Sequence, residues 1–306
     1  MVLAVSRAAR FRRSFQPKSW PFWAVHLVAI IGVVVSGWSW VGLALAVGLY
    51  WPKMFVITAG YHRYFSHRSF RTSRAFQLVL GVLCSMTAQK GILWWAAHHR
   101  RHHKFSDQEG DIHSFKRDGA WWSHVGWIVG SDAEFDGTDL GRIKDLARYP
   151  ELVWLNKHWY LFSVAVPVVL FLVGGWHALL WGFFVSTVIT WHGSFSINSL
   201  SHLIGRRRYA TTDESRNSFG LALLTMGEGW HNNHHHYMTA CNQGWRWYEV
   251  DMTYYLLRMM SWVGLVWDLR TPPRHVVDGA VAPAEVVPGE KVAVGRPPRA
   301  EIARAA

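Results

Sequence analysis

Two stretches of this chain run almost without a polar break. From Trp20 to Gly60, 41 residues contain no acid, and His26 and Lys53 are the only side chains there able to carry a positive charge. From Trp159 to Ile197, 39 residues contain no Asp, Glu, Lys or Arg. One membrane helix needs about 20 apolar residues, so each block is long enough for two. Each block also has a turn near its middle, "SGWSW" at 36–40 and "VGGWH" at 173–177. The pattern predicts an all-α integral membrane protein built from two helical hairpins, with spans near 20–38, 41–60, 159–175 and 177–197. A further apolar run, "FQLVLGVLCSMTAQKGILWWAA" at 76–97, is long enough for a fifth span. Gln77, Gln89, Lys90 and Gly91 interrupt it, however, which also suits a helix lying in the interface.

Charge orients these elements. Arg7, Arg10, Arg12, Arg13 and Lys18 precede the first span, a basic stretch surrounds the second, and both turns lack Lys and Arg. The positive-inside rule therefore places both termini in the cytoplasm. No cleavable signal peptide is expected, because the first block lacks a small-residue cleavage pattern and runs straight into a second span. The formal charge of +12 suits anionic lipid headgroups rather than nucleic acid. Twenty Trp residues fit belts at the two membrane surfaces. With Cys84 and Cys241 as the only cysteines, no disulfide framework is expected. Residues 1–19 read as a basic cytosolic segment and 20–270 as the functional domain. Residues 271–306, rich in Pro, Gly and Ala and without an aromatic residue, are expected to be disordered.

The chemistry lies in histidines. Four clusters stand out: "HRYFSH" from His62 to His67, "HHRRHH" at 98–103, "NSLSH" from Asn198 to His202, and "HNNHHH" at 231–236. His99, His102 and His103, and likewise His231, His234 and His235, fall at i, i+3 and i+4, which share a helix face. Each trio is expected to converge on a common point. Asn198 and His202 share a face as well, whereas His62 and His67, five apart, require the helix to unwind between them. Imidazole sets suit Zn, Cu, Fe or Ni, but a structural zinc site closes with four ligands. Nine well-placed histidines are about what two metal ions need with a position open on each, and an open position on iron is where dioxygen is activated. Two irons are the economical inference. The clusters also fix topology: His62, His67 and His202 sit at the cytoplasmic ends of their hairpins, so 76–97 must lie at the interface or dip in and return. His26, His158, His177, His192 and His275 read as hydrogen-bonded or surface residues. His113 and His124 are candidates for outer contacts to ligands, as are Asp111 and Glu228.

On these motifs the chain resembles the membrane fatty-acid desaturases, specifically the stearoyl-CoA (Δ9) acyl-CoA desaturase branch, over roughly residues 20–270. "TAGYHRYFSHRSF" is similar to the first histidine box and "HRRHHKFSD", with "DIHS" and "SHVGW", to the second. "NSLSH" and "GEGWHNNHHHY" match the Asn-Ser-x-x-His element and the third box. The resemblance implies four membrane helices under a cytosolic helical cap that carries a di-iron site. Its iron ligands would be His62, His67, His99, His102, His103, His202, His231, His234 and His235, with Asn198 holding a metal-bound water. The implied reaction uses dioxygen and two electrons to take two hydrogens from adjacent methylenes of a long-chain acyl-CoA, leaving a cis double bond. Without a fused cytochrome b5 domain, the electrons would come from a separate ferredoxin, cytochrome b5 or flavoprotein reductase. The family's animal members place an Arg-Asp pair before the second box to hold coenzyme A, and here those positions are Ala97 and His98. Trp95, His98, Arg100, Arg101 and Lys104 are the substrate contacts this leaves. The alternatives are a membrane di-iron hydroxylase of lipids or alkanes, a desaturase acting on acyl-ACP or glycerolipid, and a non-catalytic metal- or haem-carrying membrane protein. The last would place its ligands inside the spans.

Overall fold

A computed structural model of the chain describes residues 11–130 and 136–279. Among them, three helices are long and apolar enough to cross a membrane: Pro17–Ser36, Trp40–Ser66 and Trp159–His202. The first comprises a short 3-10 turn and α1 (Trp20–Ser36), and the second comprises α2 (Trp40–Val56) and a π-helical continuation (Ile57–Ser66). The hydropathy pattern predicts four spans, and the difference lies in the third helix. Its 44 residues are about twice what one crossing needs. The backbone leaves helical geometry at Gly174 (φ −137°, ψ 20°) and Gly175 (φ 59°, ψ −154°), at the predicted turn.

The chain folds back at this point. A Cβ on Gly182 would sit 3.3 Å from Leu170, on the other side of the glycines. This turn lies beside the first hairpin's turn, where Gly37 adopts φ 77°. Trp176 Nε1 donates to Ser36 Oγ at 3.1 Å, and His177 Nε2 lies 3.0 Å from Ser39 Oγ. Ser39 also caps α2 by accepting from the Gly42 amide, which satisfies one of that helix's otherwise unpaired donors. The hairpins pack backbone to side chain, since a Cβ on Gly42 would lie 2.4 Å from the Trp181 ring. Val34, Val35, Leu172 and Val173 are each more than three-quarters exposed, an outward apolar surface of the kind a bilayer covers.

The apolar run at 76–97 is not a span. It resolves into α3 (Arg74–Ser85) and part of α4 (Ile92–Phe105), separated by a segment in which Ala88 and Lys90 take positive φ. Twelve residues of α3 cannot cross about 30 Å of hydrocarbon. Beneath the histidines, Phe65, Leu80, Ile92, Leu93, Leu152 and Leu257 belong to one buried core. The main sheet is a two-stranded antiparallel pair, Arg71–Thr72 with Val266–Trp267. Cys84 and Cys241 are buried and unbridged. Of the segment expected to be disordered, residues 271–279 are described and include a short helix, Arg274–Asp278, tethered where Tyr209 Oη donates to Val277 O. Residues 280–306 and 1–10 lie outside the described residues.

Candidate metal centre

The five-residue gap between His62 and His67 is accommodated by widening the helix rather than unwinding it. The π-helical Ile57–Ser66 segment uses i→i+5 bonds, and its last turn closes with the His67 amide donating to His62 O at 3.2 Å. A wider turn brings residues five apart toward one face, which is why π segments recur at functional sites.

The two trios do not converge as expected. His99 and His103 join His62, His67 and His234 in one cluster, while His102 joins His202, His231 and His235 in another, with the ligand atoms in each cluster within 4.8 Å of one another. The reason is angular. With 3.6 residues per turn, i+4 points about 40° from i, but i+3 points about 60° the other way. Side chains at i+3 and i+4 therefore diverge by about 100°, and each helix feeds both centres. The clusters are neighbours, with the rings of His103 and His235 4.4 Å apart.

Four imidazoles have their tautomer fixed by an acid. His62 Nδ1 faces Glu228 at 2.6 Å, His102 Nδ1 faces Asp111 at 2.9 Å, His202 Nδ1 faces Asp107 at 3.0 Å and His235 Nδ1 faces Asp213 at 2.6 Å. A carboxylate only accepts, so Nδ1 carries the proton and Nε2 presents a lone pair. Those lone pairs then meet other imidazole nitrogens: His62 Nε2 is 3.0 Å from His234 Nε2, and His202 Nε2 is 3.2 Å from His231 Nε2. In the first cluster His67 and His99 approach to 2.8 Å, and His99 and His103 to 3.0 Å, again through Nε2. Two nitrogen ligands about 2.1 Å from a metal and at right angles to each other lie about 3.0 Å apart. The spacing is that of neighbouring ligands around a cation, and the donor set fits a metal ion in each cluster.

Electrostatics agree. Burial, then the neighbouring imidazoles, holds His67, His99, His103, His231 and His234 well below the ordinary histidine pKa, so they are neutral and able to ligate. For His102 burial opposes the charged form, yet Asp111, helped by Asp213 and Asp107, leaves the pKa raised. Burial works against ionisation of the acids too, but their histidine partners outweigh it. Asp107, Asp111 and Asp213 fall well below the usual range, and Glu228 is held at about 2. Asp107 and Asp213 are functional residues that sequence reasoning missed. The signal available was chemical: a ligating histidine needs an acceptor for its second nitrogen, although the histidines these two acids reach, His202 and His235, lie 95 and 22 residues away.

A cavity of about 700 Å³ runs past both clusters, within the usual range for ligand pockets of about 300–1,000 Å³. His62, His99, His102, His231, Asn198 and Glu228 line it, together with apolar residues such as Met54, Trp95, Trp127 and Phe183. Trp95 stacks on His99. His113 also lines this cavity, stacked on His102 with centroids 4.2 Å apart. The remaining expected substrate contacts lie elsewhere. His98 and Arg101 face a separate recess of about 340 Å³, and Lys104 is exposed. Arg100 is spent internally, paired with Asp145 and donating to the carbonyls of Phe65, Ser66 and Arg142. His124 lies in neither cluster; it bonds Ser199 and His192, and His192 in turn bonds His26.

Residues 36–266 match the family model described as fatty acid desaturase. The chain is 35% identical to the sn-1 stearoyl-lipid 9-desaturase of Synechocystis sp., over 84% of this chain and 83% of that relative. It is 32% identical to the hex-5-enoyl-[acyl-carrier protein] acetylenase of Moorena producens, over 78% of this chain and 80% of the relative. It is also 32% identical to the acyl-CoA 5-desaturase of Anemone leveillei, over 81% and 77%. The three names specify three different acyl carriers.

Proposed function

This chain belongs to the fatty acid desaturase family, and from that premise we propose that it is a di-iron, dioxygen-dependent desaturase that introduces a cis Δ9 double bond into a saturated long-chain acyl group. The observation that carries this reading is the joining of one cavity to both histidine clusters. His62 and His99 from the first, and His102 and His231 from the second, line the same apolar space.

The nine histidines would hold the two irons, with Asn198 holding a metal-bound water. When bound, the irons supply the oxidising power that removes two hydrogens using dioxygen. The chain's own residues do the rest. Trp95, Trp127 and the apolar walls fix which methylenes face the clusters, and placement of this kind accounts for a large share of catalytic power. Asp107, Asp111, Asp213 and Glu228 hold four ligands in orientation. The cavity's apolar lining keeps bulk water from the acyl chain.

The carrier we propose is a membrane glycerolipid. In support, the first relative named above acts on a lipid-linked chain, and Arg100 and Arg101, candidates for binding coenzyme A, are engaged in internal contacts. The cavity also reaches Tyr160 and Val164, about half and more than half exposed on the apolar helix that begins at Trp159, which suits entry from the bilayer. Acyl-CoA is the second reading, favoured by Lys18 and Lys90 at the same cavity, where both face Asp136. The protein would cross the membrane four times, with both termini, a helical cap and the metal centre on the cytoplasmic side.

The test is expression in a host lacking its own desaturase, followed by analysis of the fatty acids. A new cis-9 alkene in stearate or palmitate is expected, and a hydroxylated product without alkene would overturn the reading. Supplying membranes with labelled stearoyl glycerolipid or labelled stearoyl-CoA separates the carriers, with label expected in the alkene only from the lipid.

A further inference from the structure

Desaturation, the reading on which this inference rests, needs electrons from outside the chain. One dioxygen and a saturated –CH2–CH2– unit give –CH=CH– and two waters only if two electrons and two protons are added. The structure offers a place for those electrons to enter. His236 is in neither metal cluster, and its ring stacks flat on Tyr209, with centroids 4.2 Å apart and planes 6° from parallel. Tyr209 packs on Trp245 at 5.2 Å. Since His235 belongs to the second cluster, one peptide link and two ring contacts join that cluster to the loop at 245–248.

That loop presents an unusual surface. Trp247 is 93% exposed, more than any other described large apolar side chain, and Tyr248 beside it is about half exposed. Arg208 donates to Tyr248 Oη at 3.3 Å, and Arg246 donates to Val277 O at 3.3 Å, which brings the Arg274–Asp278 helix alongside. Arg208 is offset by Glu249. The Arg246 amide donates to Glu249, but neither the Arg246 nor the Arg274 guanidinium forms an ion pair with a carboxylate among the described residues, and Asp278 is the acid exposed on the same helix. An uncovered Trp among arginines has the composition of an interface hot spot, and the unpaired positive charge would steer an anionic partner.

We propose that Trp247, Arg246 and Arg274 form the docking surface for a small acidic electron-transfer protein, which passes its electron through the Tyr209–His236 stack to the second histidine cluster. Each donor molecule gives up one electron and leaves oxidised, so two dockings serve each double bond.

The experiment uses the full-length, iron-loaded chain in lipid nanodiscs, with a reduced plant-type [2Fe–2S] ferredoxin as the acidic probe. For Trp247→Ala and for the double variant Arg246→Glu/Arg274→Glu, the KM for ferredoxin should rise about tenfold or more, and in the double variant, which reverses two positive charges, its dependence on salt should flatten. Turnover driven by dithionite should stay unchanged. An unchanged KM would overturn the proposal, as would an equal loss with dithionite, or a wild-type chain that turns over with dithionite but not with ferredoxin. If no reductant yields alkene, the desaturase reading fails on its own account. Docking is then judged by ferredoxin binding to the nanodiscs: binding that the variants lose supports the surface, and binding that they retain overturns it.

Discussion

At the scale of single residues, the site is built on pairs in which an acid sets the proton of a histidine. Glu228 does this once in the first cluster, whereas Asp107, Asp111 and Asp213 do it three times in the second. Replacing Asp213 with Asn keeps the shape and an acceptor but removes the charge and relaxes the tautomer of His235. Partners of this kind alter metal affinity by about 10–100-fold. Asp213→Asn should therefore lose iron from the second cluster while the first stays loaded, read as iron per chain by mass spectrometry, with an unchanged content counting against the pairing. The nine histidines, Asp111 and Glu228 were legible in the sequence because they repeat at helical spacings or adjoin the boxes. Asp107 and Asp213 were not: like Glu228, which reaches His62, each pairs with a histidine of another segment, Asp107 with His202 and Asp213 with His235, and no periodicity connects such pairs. The candidate substrate contacts His98 and Arg100 lie away from the large cavity: His98 faces the smaller recess, and Arg100 is bound to Asp145 and three carbonyls.

At the scale of elements, the hairpins were legible because hydrophobicity over 40 residues is a strong signal and the turns carry glycine. What hydropathy did not reveal was the path of the helices. The π-helical turn at Ile57–Ser66 has no composition of its own, and it arises because tertiary packing brings His62 and His67 to one cluster. The sharing of each trio between two centres was implicit in the 100° step of the helix, but only the positions of the other two segments select it. Packing between the hairpins rests on close approaches such as Gly42 against Trp181, whose ring is 2% exposed and has nowhere to move. Gly42→Val should cost about 1–3 kcal/mol, the usual range for overpacking. A lowered Tm in nanodiscs with iron per folded chain unchanged is the expected result, because the histidines lie at the other end of α2. Loss of iron without loss of Tm would show that this contact does not separate the two ends.

At the scale of the whole molecule, the metal centre ties together segments that the chain sets far apart. The π-helical end of the second long helix, α4, the end of the third long helix and the His231–His236 helix all contribute ligand atoms to the clusters. Each ion bound only by the folded state adds about 2.7 kcal/mol at a hundredfold excess over its Kd, so removal should loosen these ligand-bearing segments as a unit while the hairpins, held by apolar packing, persist. The clusters should not empty together. A carboxylate roughly 5 Å from an ion contributes on the order of 3 kcal/mol per unit charge at an effective dielectric near 20, and the second cluster has three such partners against one. A slow chelator titration should therefore release one iron per chain first, from the first cluster, with a partial fall in Tm, and the second only at much higher chelator concentration with the remaining fall. Asp107→Asn and Asp213→Asn together should narrow the gap between the two steps, because they act only on the more strongly held ion. Simultaneous release from the unaltered protein would mean that the carboxylate asymmetry does not govern affinity and that the two clusters behave as a single site.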